Sequence, residues 1–196
     1  MKLETQRLIL RKPKLSDWKD VVEGAGEFDV AKMTEKIPYP YKKKNALDWL
    51  KNSIKKFGKE EYAFLIELKK ERKVIGVIHL MSVNKFSGTA TTGSWINKKY
   101  WEKGYITEAK IAVNEFAFDK LKLRKLNSTV MTTNAASNRT QQSVGYRKEG
   151  LQMKQTRALS TKKLRDLVLY GLFKEDWKRN LPKLKKKLND KIKNLK

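Results

Sequence analysis

The sequence predicts one α/β domain on a single mixed sheet, α+β in the order of its strands, followed by a basic helix. Strand-patterned segments outnumber helical ones, and the early strands succeed one another in hairpin-like order. One strand–helix–strand crossover lies mid-chain, which demands a pair of parallel strands. A chain of 196 residues can bury one substantial core.

The elements follow in order. "TQRLILRKP" alternates, with Leu8 and Leu10 on one face, and reads as a strand ended by Pro13. "LSDWKDVVEGAG" reads as a helix with Ser16 at its N-cap and glycines at its end. "KIPYPYKKK" cannot be regular, because Pro38 and Pro40 remove backbone donors. "NALDWLKNSIKKF" is helical, with Leu47, Leu50 and Ile54 on one face. "YAFLIELKKERKVIGVIHLMSV" gives two strands around "KKER", and "SGTATTGSWI" a third. A helix over Thr107–Leu121 carries Ala109, Ala112, Val113, Phe116 and Ala117 as its apolar stripe. "KLNSTVMT" is a strand, "NAASNRTQQSVGY" a short helix closed by Gly145, and "LRDLVLYGLF" a final strand.

The composition changes near Lys178. The segment 178–196 holds nine Lys or Arg and one Asp, while Leu181, Leu184, Leu188, Ile192 and Leu195 step by three and four. That spacing makes a basic amphipathic helix, set apart from a domain at 1–177. Its stripe suits packing on the domain or on a second copy, as in a homodimer, and its charge suits RNA or ribosome docking. Without Trp or Phe to seat in an interface, it is a poor membrane binder.

Forty-six Lys and Arg against 21 acids leave a net charge of +25, which favours a polyanionic partner such as RNA or the ribosome. A lysine-rich surface serving solubility or heat adaptation is the plainer reading. With no cysteine, disulfides, thiolate metal sites and a cysteine nucleophile are excluded, and with His79 the only histidine so is a multi-histidine metal centre. No apolar run reaches the length of a membrane span and the N-terminus is not a signal peptide, so a cytoplasmic location is expected.

"SWINKKYWEKGYITEA" passes from a strand through a turn with one glycine into the long helix. Backbone N–H groups at such a helix start are free, lie at the positive end of the dipole, and hold phosphate well. A capped turn without a ligand is the alternative.

Together "TQRLILR", "SWINKKYWEKGYITEA", "NAASNRTQQSVGYRKEG" and "RDLVLYGLFKEDW" resemble the GNAT superfamily, and within it the RimJ/RimL-type N-acetyltransferases, over about residues 3–177. The resemblance implies a GNAT-like fold, acetyl-CoA as donor and no metal. It places the CoA diphosphate over Glu102, Lys103, Gly104, Tyr105, Ile106 and Thr107, with Asn134 on the pantetheine arm and Ser137 and Arg139 completing "N-x-x-S-x-R". Family members favour a small residue at Glu102 and Gly or Ala at Ile106. The backbone at Trp95 and Ile96 offers N–H to the thioester carbonyl. Many members place a tyrosine acid where this chain has Gln141; Ser137 is the candidate to donate to the leaving thiolate. Thr91 and Thr92 stand where relatives often have a carboxylate base, leaving His79 as the candidate base or a structural residue. Glu108, Glu149 and Asp166 match family positions with capping or structural roles, and Tyr170 either lines the acceptor cleft or packs.

The implied reaction is acetyl transfer to a protein N-terminal amine, as in the ribosomal-protein branch. Transfer to an amine on a modified tRNA base fits the same charge, and so does a GNAT-fold module that binds RNA or the ribosome without turnover.

Overall fold

The computed structural model describes residues 1–195; Lys196, the end of the basic segment, lies outside the described residues. Eight strands form one sheet: β1 Lys2–Glu4, β2 Leu8–Arg11, β3 Tyr62–Leu68, β4 Lys73–Asn84, β5 Thr89–Ile96, β6 Lys125–Met131, β7 Arg147–Arg157 and β8 Leu164–Phe173. Their spatial order is β1-β2-β3-β4-β5-β6-β8-β7. Every neighbouring pair is antiparallel except β5 and β6, which the crossover makes parallel.

The sheet is covered on both faces. The larger core joins Leu8, Leu10, Phe64, Ile78, Leu80 and Leu126 to helix α4 (Tyr105–Glu115) and to Trp177 of α6 (Lys174–Lys193). Phe57, Phe64 and Phe116 meet there edge-to-face with centroids 5.4 and 5.7 Å apart, the favoured aromatic geometry. On the other face α1 (Trp18–Ala25) and α3 (Lys43–Lys56) bury Val21, Ala46 and Leu50 against Leu65, Val74 and Val77. A short α2 (Phe28–Ala31) and the irregular stretch after it carry the chain across the end of this layer, and α5 (Ala135–Ser143) follows β6.

Several local expectations are corrected. Ser16 lies inside a 3₁₀ turn, Leu15–Asp17, rather than at the α1 N-cap, and Asp17 takes that place, accepting from Lys14 N at 2.7 Å. The buried line of α3 is Ala46, Leu50 and Ser53, so Leu47 and Ile54 sit on its flanks. β7 was not anticipated because its outer face is almost wholly polar, as an edge strand's can be. The long central helix ends as a π-turn, Phe116–Lys120.

The stripe on the C-terminal segment packs inward. Leu181, Leu184 and Leu188 rest on the main core, and Ile192 is 4% exposed, whereas Leu195 stays outside. Lys185 Nζ reaches Glu115 Oε1 of α4 at 2.7 Å. No helix among the described residues is long and apolar enough to cross a membrane.

Truncating a buried isoleucine removes its transfer energy and leaves a cavity. Ile192→Ala is therefore expected to lower stability by about 2 kcal/mol, read as a reduced urea midpoint with an unchanged slope.

Candidate active site

The parallel pairing of β5 and β6 is brief. Thr89, Ala90 and Thr91 oppose Lys125, Leu126 and Asn127, after which β5 stays with β4 and β6 with β8. The strands part, and backbone groups that would have bonded each other need other partners. Side chains supply them at the fork. Thr92 Oγ1 donates to Asn127 O at 3.3 Å, Ser128 Oγ to Thr92 O at 3.3 Å, and Gln141 Nε2 to Ser128 Oγ at 2.6 Å. Tyr146 Oη lies 3.1 Å from Thr92 Oγ1. Thr92 is thus part of the fork, where a carboxylate could not accept from an acceptor carbonyl.

Beyond the fork a cavity of about 290 Å³ opens between the strands. Trp95 and Ile96 of β5 line it, as do Glu102 and Gly104–Thr107 at the start of α4, and Asn134 and Ser137 of α5. Val30, Met33 and Thr34 line it as well. Two of the four motifs, "SWINKKYWEKGYITEA" and "NAASNRTQQSVGYRKEG", thus meet at one slot, but not all their residues reach it, and "TQRLILR" and "RDLVLYGLFKEDW" contribute none to its wall. Lys103 and Arg139 are exposed and do not line it. Trp95 turns its indole toward α1, where a Cβ on Gly24 would come within 2.6 Å of the ring, so only glycine fits.

The α4 N-terminus leaves backbone donors free, an arrangement that can receive an anion. Gly104 occupies the N-cap position with φ +78° and offers no side chain to the helix. The first backbone bond is Glu108 N to Gly104 O at 3.0 Å, and the amides of Tyr105, Ile106 and Thr107 donate to no protein atom among the described residues. They point their dipole end into the slot. Glu102 has φ +62°, a left-handed conformation that strains any side chain but suits glycine. This is the physical sense of the small residue expected there.

Buried Glu108, 2% exposed, ties this loop to the first strands. Its Oε1 accepts from Arg7 N at 2.8 Å and Thr5 Oγ1 at 2.6 Å, and its Oε2 from Arg7 Nε at 2.7 Å. Arg7 Nη1 donates onward to Lys103 O at 3.0 Å, and its guanidinium lies 4.3 Å from the Tyr105 ring centroid. Glu108 is therefore a clamp, with hydrogen bonds that a helix-capping role would not need.

Asn134 caps α5, its Oδ1 accepting from Ser137 N at 3.0 Å; Ser137 is not the cap. Asn134 Nδ2 donates to Met33 O at 3.1 Å, joining α5 to that segment of the slot's wall. Both ends of the Asn134 amide are thereby used within the protein. The Ser137 hydroxyl has no protein partner among the described residues and stays available. Tyr170 packs, 3% exposed, with its hydroxyl donating to Asn138 Oδ1 at 2.8 Å.

His79 lies elsewhere. It sits on β4 opposite Gly93 and does not line the cavity. Its Nε2 is 3.3 Å from Glu61 Oε2 but makes no hydrogen bond, and burial, with Lys36 and Lys56 nearby, pulls the imidazole down to about 4. It is neutral at pH 7.

Two cavity residues were not anticipated. Lys191 of α6 lines the slot beside Gly104. Lys110 of α4 lines it too and is 3% exposed. The spacing held a signal for both, since Lys191 follows Leu188 by three residues and Lys110 precedes Val113 by three, on the inward side of each helix. A second depression of about 240 Å³, between the first strand, α4 and α6, is lined by Thr5, Gln6 and Glu108 of the motifs and by none of the residues expected to hold the co-substrate.

Comparison with known proteins agrees with this geometry. Residues 7–147 match the acetyltransferase (GNAT) domain profile. The uncharacterized N-acetyltransferase YnaD of Bacillus subtilis is 27% identical over 157 residues, covering 76% of this chain and 85% of YnaD. A GNAT-family acetyltransferase structure from Bacillus anthracis superposes with a TM-score of 0.77 at 25% identity, over 89% of this chain and 99% of its own. The ribosomal-protein-S5-alanine acetyltransferase structure from Vibrio fischeri has the same fold, with a TM-score of 0.74 at 19% identity, over 90% of this chain and 98% of its own.

The depressed His79 pKa fixes a sign. Between about pH 6.5 and 4 the unfolded chain binds a proton at this residue that the folded chain refuses, so stability falls with pH across that window. His79→Leu is expected to remove a penalty that reaches roughly 3 kcal/mol near pH 4. Denaturation midpoints of the two proteins from pH 7 to 4 check this, and activity near neutrality should stay within about threefold.

Proposed function

The chain belongs to the GNAT acetyltransferase family and is an N-acetyltransferase, and from that premise we propose that its acceptor is a protein N-terminal amine, in the RimJ/RimL manner. When bound, acetyl-CoA supplies the acetyl group as a thioester open to attack by an amine. The residues of the slot suit that co-substrate. The free amides of Tyr105, Ile106 and Thr107 would hold the diphosphate, with the Lys191 ammonium beside them. Trp95 and Ile96 line the slot where the strands have parted; the ladder with β4 engages Trp95 opposite Val77, so it is the Ile96 N–H, on the side away from β4, that would meet a developing oxyanion. The Ser137 hydroxyl can hydrogen-bond the departing sulfur.

The lining of the slot carries the acceptor assignment. Its acceptor end is Val30, Met33 and Thr34, and the sole carboxylate on its wall, Glu102, stands at the phosphate end. A polyamine or aminoglycoside would meet no anionic contact there, and the net charge of +25 would repel it. A single terminal amine on a larger body needs no such contact. The resemblance to a ribosomal-protein acetyltransferase fold agrees with that choice, and the basic surface would favour an acceptor carried on RNA-rich particles. With no histidine on the wall and no carboxylate at the acceptor end, the amine loses its proton to water, and only the neutral fraction reacts.

Release of CoA should therefore occur with peptides bearing free N-termini and not with spermidine or total small RNA. Turnover confined to RNA would replace this acceptor with a nucleic-acid amine, and turnover confined to spermidine would overturn the argument from the lining. Separately, Glu102→Gly should tighten acetyl-CoA severalfold by removing a carboxylate near the diphosphate, and should raise stability by up to about 1 kcal/mol by relieving the left-handed strain. Calorimetric titration and thermal denaturation check the two parts.

A further inference from the structure

Lys110 is the one ammonium sealed inside the slot's wall. It enters from α4, and its Nζ donates to Gln141 Oε1 at 3.2 Å while lying 5.5 Å from the Tyr146 ring centroid. Among the described residues no carboxylate comes within ion-pair distance of it. A buried cation with one neutral hydrogen bond and one aromatic face is undercompensated, and two of its three N–H groups remain to be satisfied. An apolar side chain would be more stable at this place on the helix. What the position offers is location: Gln141 links Lys110 to Ser128, which bonds Thr92 O at the fork where β5 and β6 separate. Val30 and Met33, past which an amine would arrive, line the same slot as Lys110.

Resting on the acetyl-CoA reading given above, we propose that Lys110 is the general acid of the reaction, giving its Nζ proton to the CoA sulfur as the acetyl group leaves. The amine nitrogen bonds the carbonyl carbon, the C–S bond breaks with its electron pair passing to sulfur, and sulfur takes the proton from Nζ. On becoming the amide, the attached nitrogen loses its surplus proton to water, and a proton from water recharges Nζ, so the cycle closes without an oxidant or a further reactant. Ser137 cannot fill this role alone, because a hydroxyl is too weak an acid to surrender its proton to a thiolate and can only hydrogen-bond it. Burial lowers Lys110 to about 8, close to the range of a thiol, which is where proton transfer is most effective near neutral pH. The groups facing Lys110 from packed elements are neutral: Gln141 on α5, Tyr146 before β7, with Ser128 on β6 and Thr92 on β5 behind them. The other ionisable groups on the cavity wall are Tyr100, Glu102, Tyr105 and Lys191.

The test compares Lys110→Met and Lys110→Arg with the wild type in three measurements: acetyl-CoA affinity by calorimetry, kcat against pH, and thermal stability. Both variants should bind acetyl-CoA within about threefold of the wild type yet fall about 100-fold in kcat at pH 7. The wild-type kcat should decline as pH rises through about 8, and that decline should be missing from both variants. Lys110→Met should melt no lower than the wild type, since it removes a buried charge, and its advantage should shrink between about pH 8 and 10.5, where the folded wild type sheds its proton before the unfolded chain does. A Lys110→Met kcat within threefold of the wild type, or recovery of kcat by the permanently charged Lys110→Arg, would overturn the proposal. Failure of the wild type to bind acetyl-CoA would overturn the reading beneath it as well, and that outcome is distinguished by the calorimetry alone.

Discussion

The parting of two parallel strands governs this molecule. β5 and β6 share three residue pairs and then separate, and everything assigned to the site follows from the gap. A sheet that continued pairing would have no slot and no free backbone groups facing one. The opening is stabilised by side chains that stand in for lost ladder bonds, with Thr92, Ser128, Gln141 and Tyr146 forming a buried polar network at the fork. Buried polar groups in a sheet interior are costly unless satisfied, so these residues mark the place where the sheet stops behaving as a sheet.

A second constraint holds the open end of the slot. The Glu108 carboxylate fixes Thr5 and Arg7, and Arg7 reaches the carbonyl of Lys103 and the ring of Tyr105, so the first turn of the sequence and the first turn of α4 are one unit. The C-terminal helix adds to it from outside, bringing Lys191 next to Gly104 while its leucines rest on the core. The basic tail is thus part of the domain's packing and part of the cavity wall. Its outer lysines remain on the surface, where they contribute to the net charge of +25 that faces any partner.

Much of this was legible in the sequence because it is local. The strand alternation of "TQRLILR", the single glycine of "WEKGYITEA", and Asn134 at a strand end each follow from backbone geometry within a few residues. The mixed α/β fold followed from their order. What escaped the sequence depends on long-range placement. Lys110 was not singled out among "EAKIAV", although its spacing from Val113 and Ala117 set it on the inward line of α4. Lys191 lies on the flank of a stripe whose partner only the fold reveals. His79 has the intrinsic chemistry of a base, but its strand position turns it toward Glu61 and away from the slot, which no spacing rule states. β7 lacked alternation because it is an edge with one polar face.

In the proposed reading, acetyl-CoA sits at the fork between β5 and β6 and over the uncapped start of α4. Amide hydrogen exchange of the intact protein, with and without acetyl-CoA, tests it most directly. The account predicts slowed exchange concentrated at Gly104–Thr107, at Trp95 and Ile96 and at Asn134–Ser137, because those segments carry free amides or line the slot. Protection centred instead on the depression between the first strand, α4 and α6, with the α4 start unchanged, would contradict it.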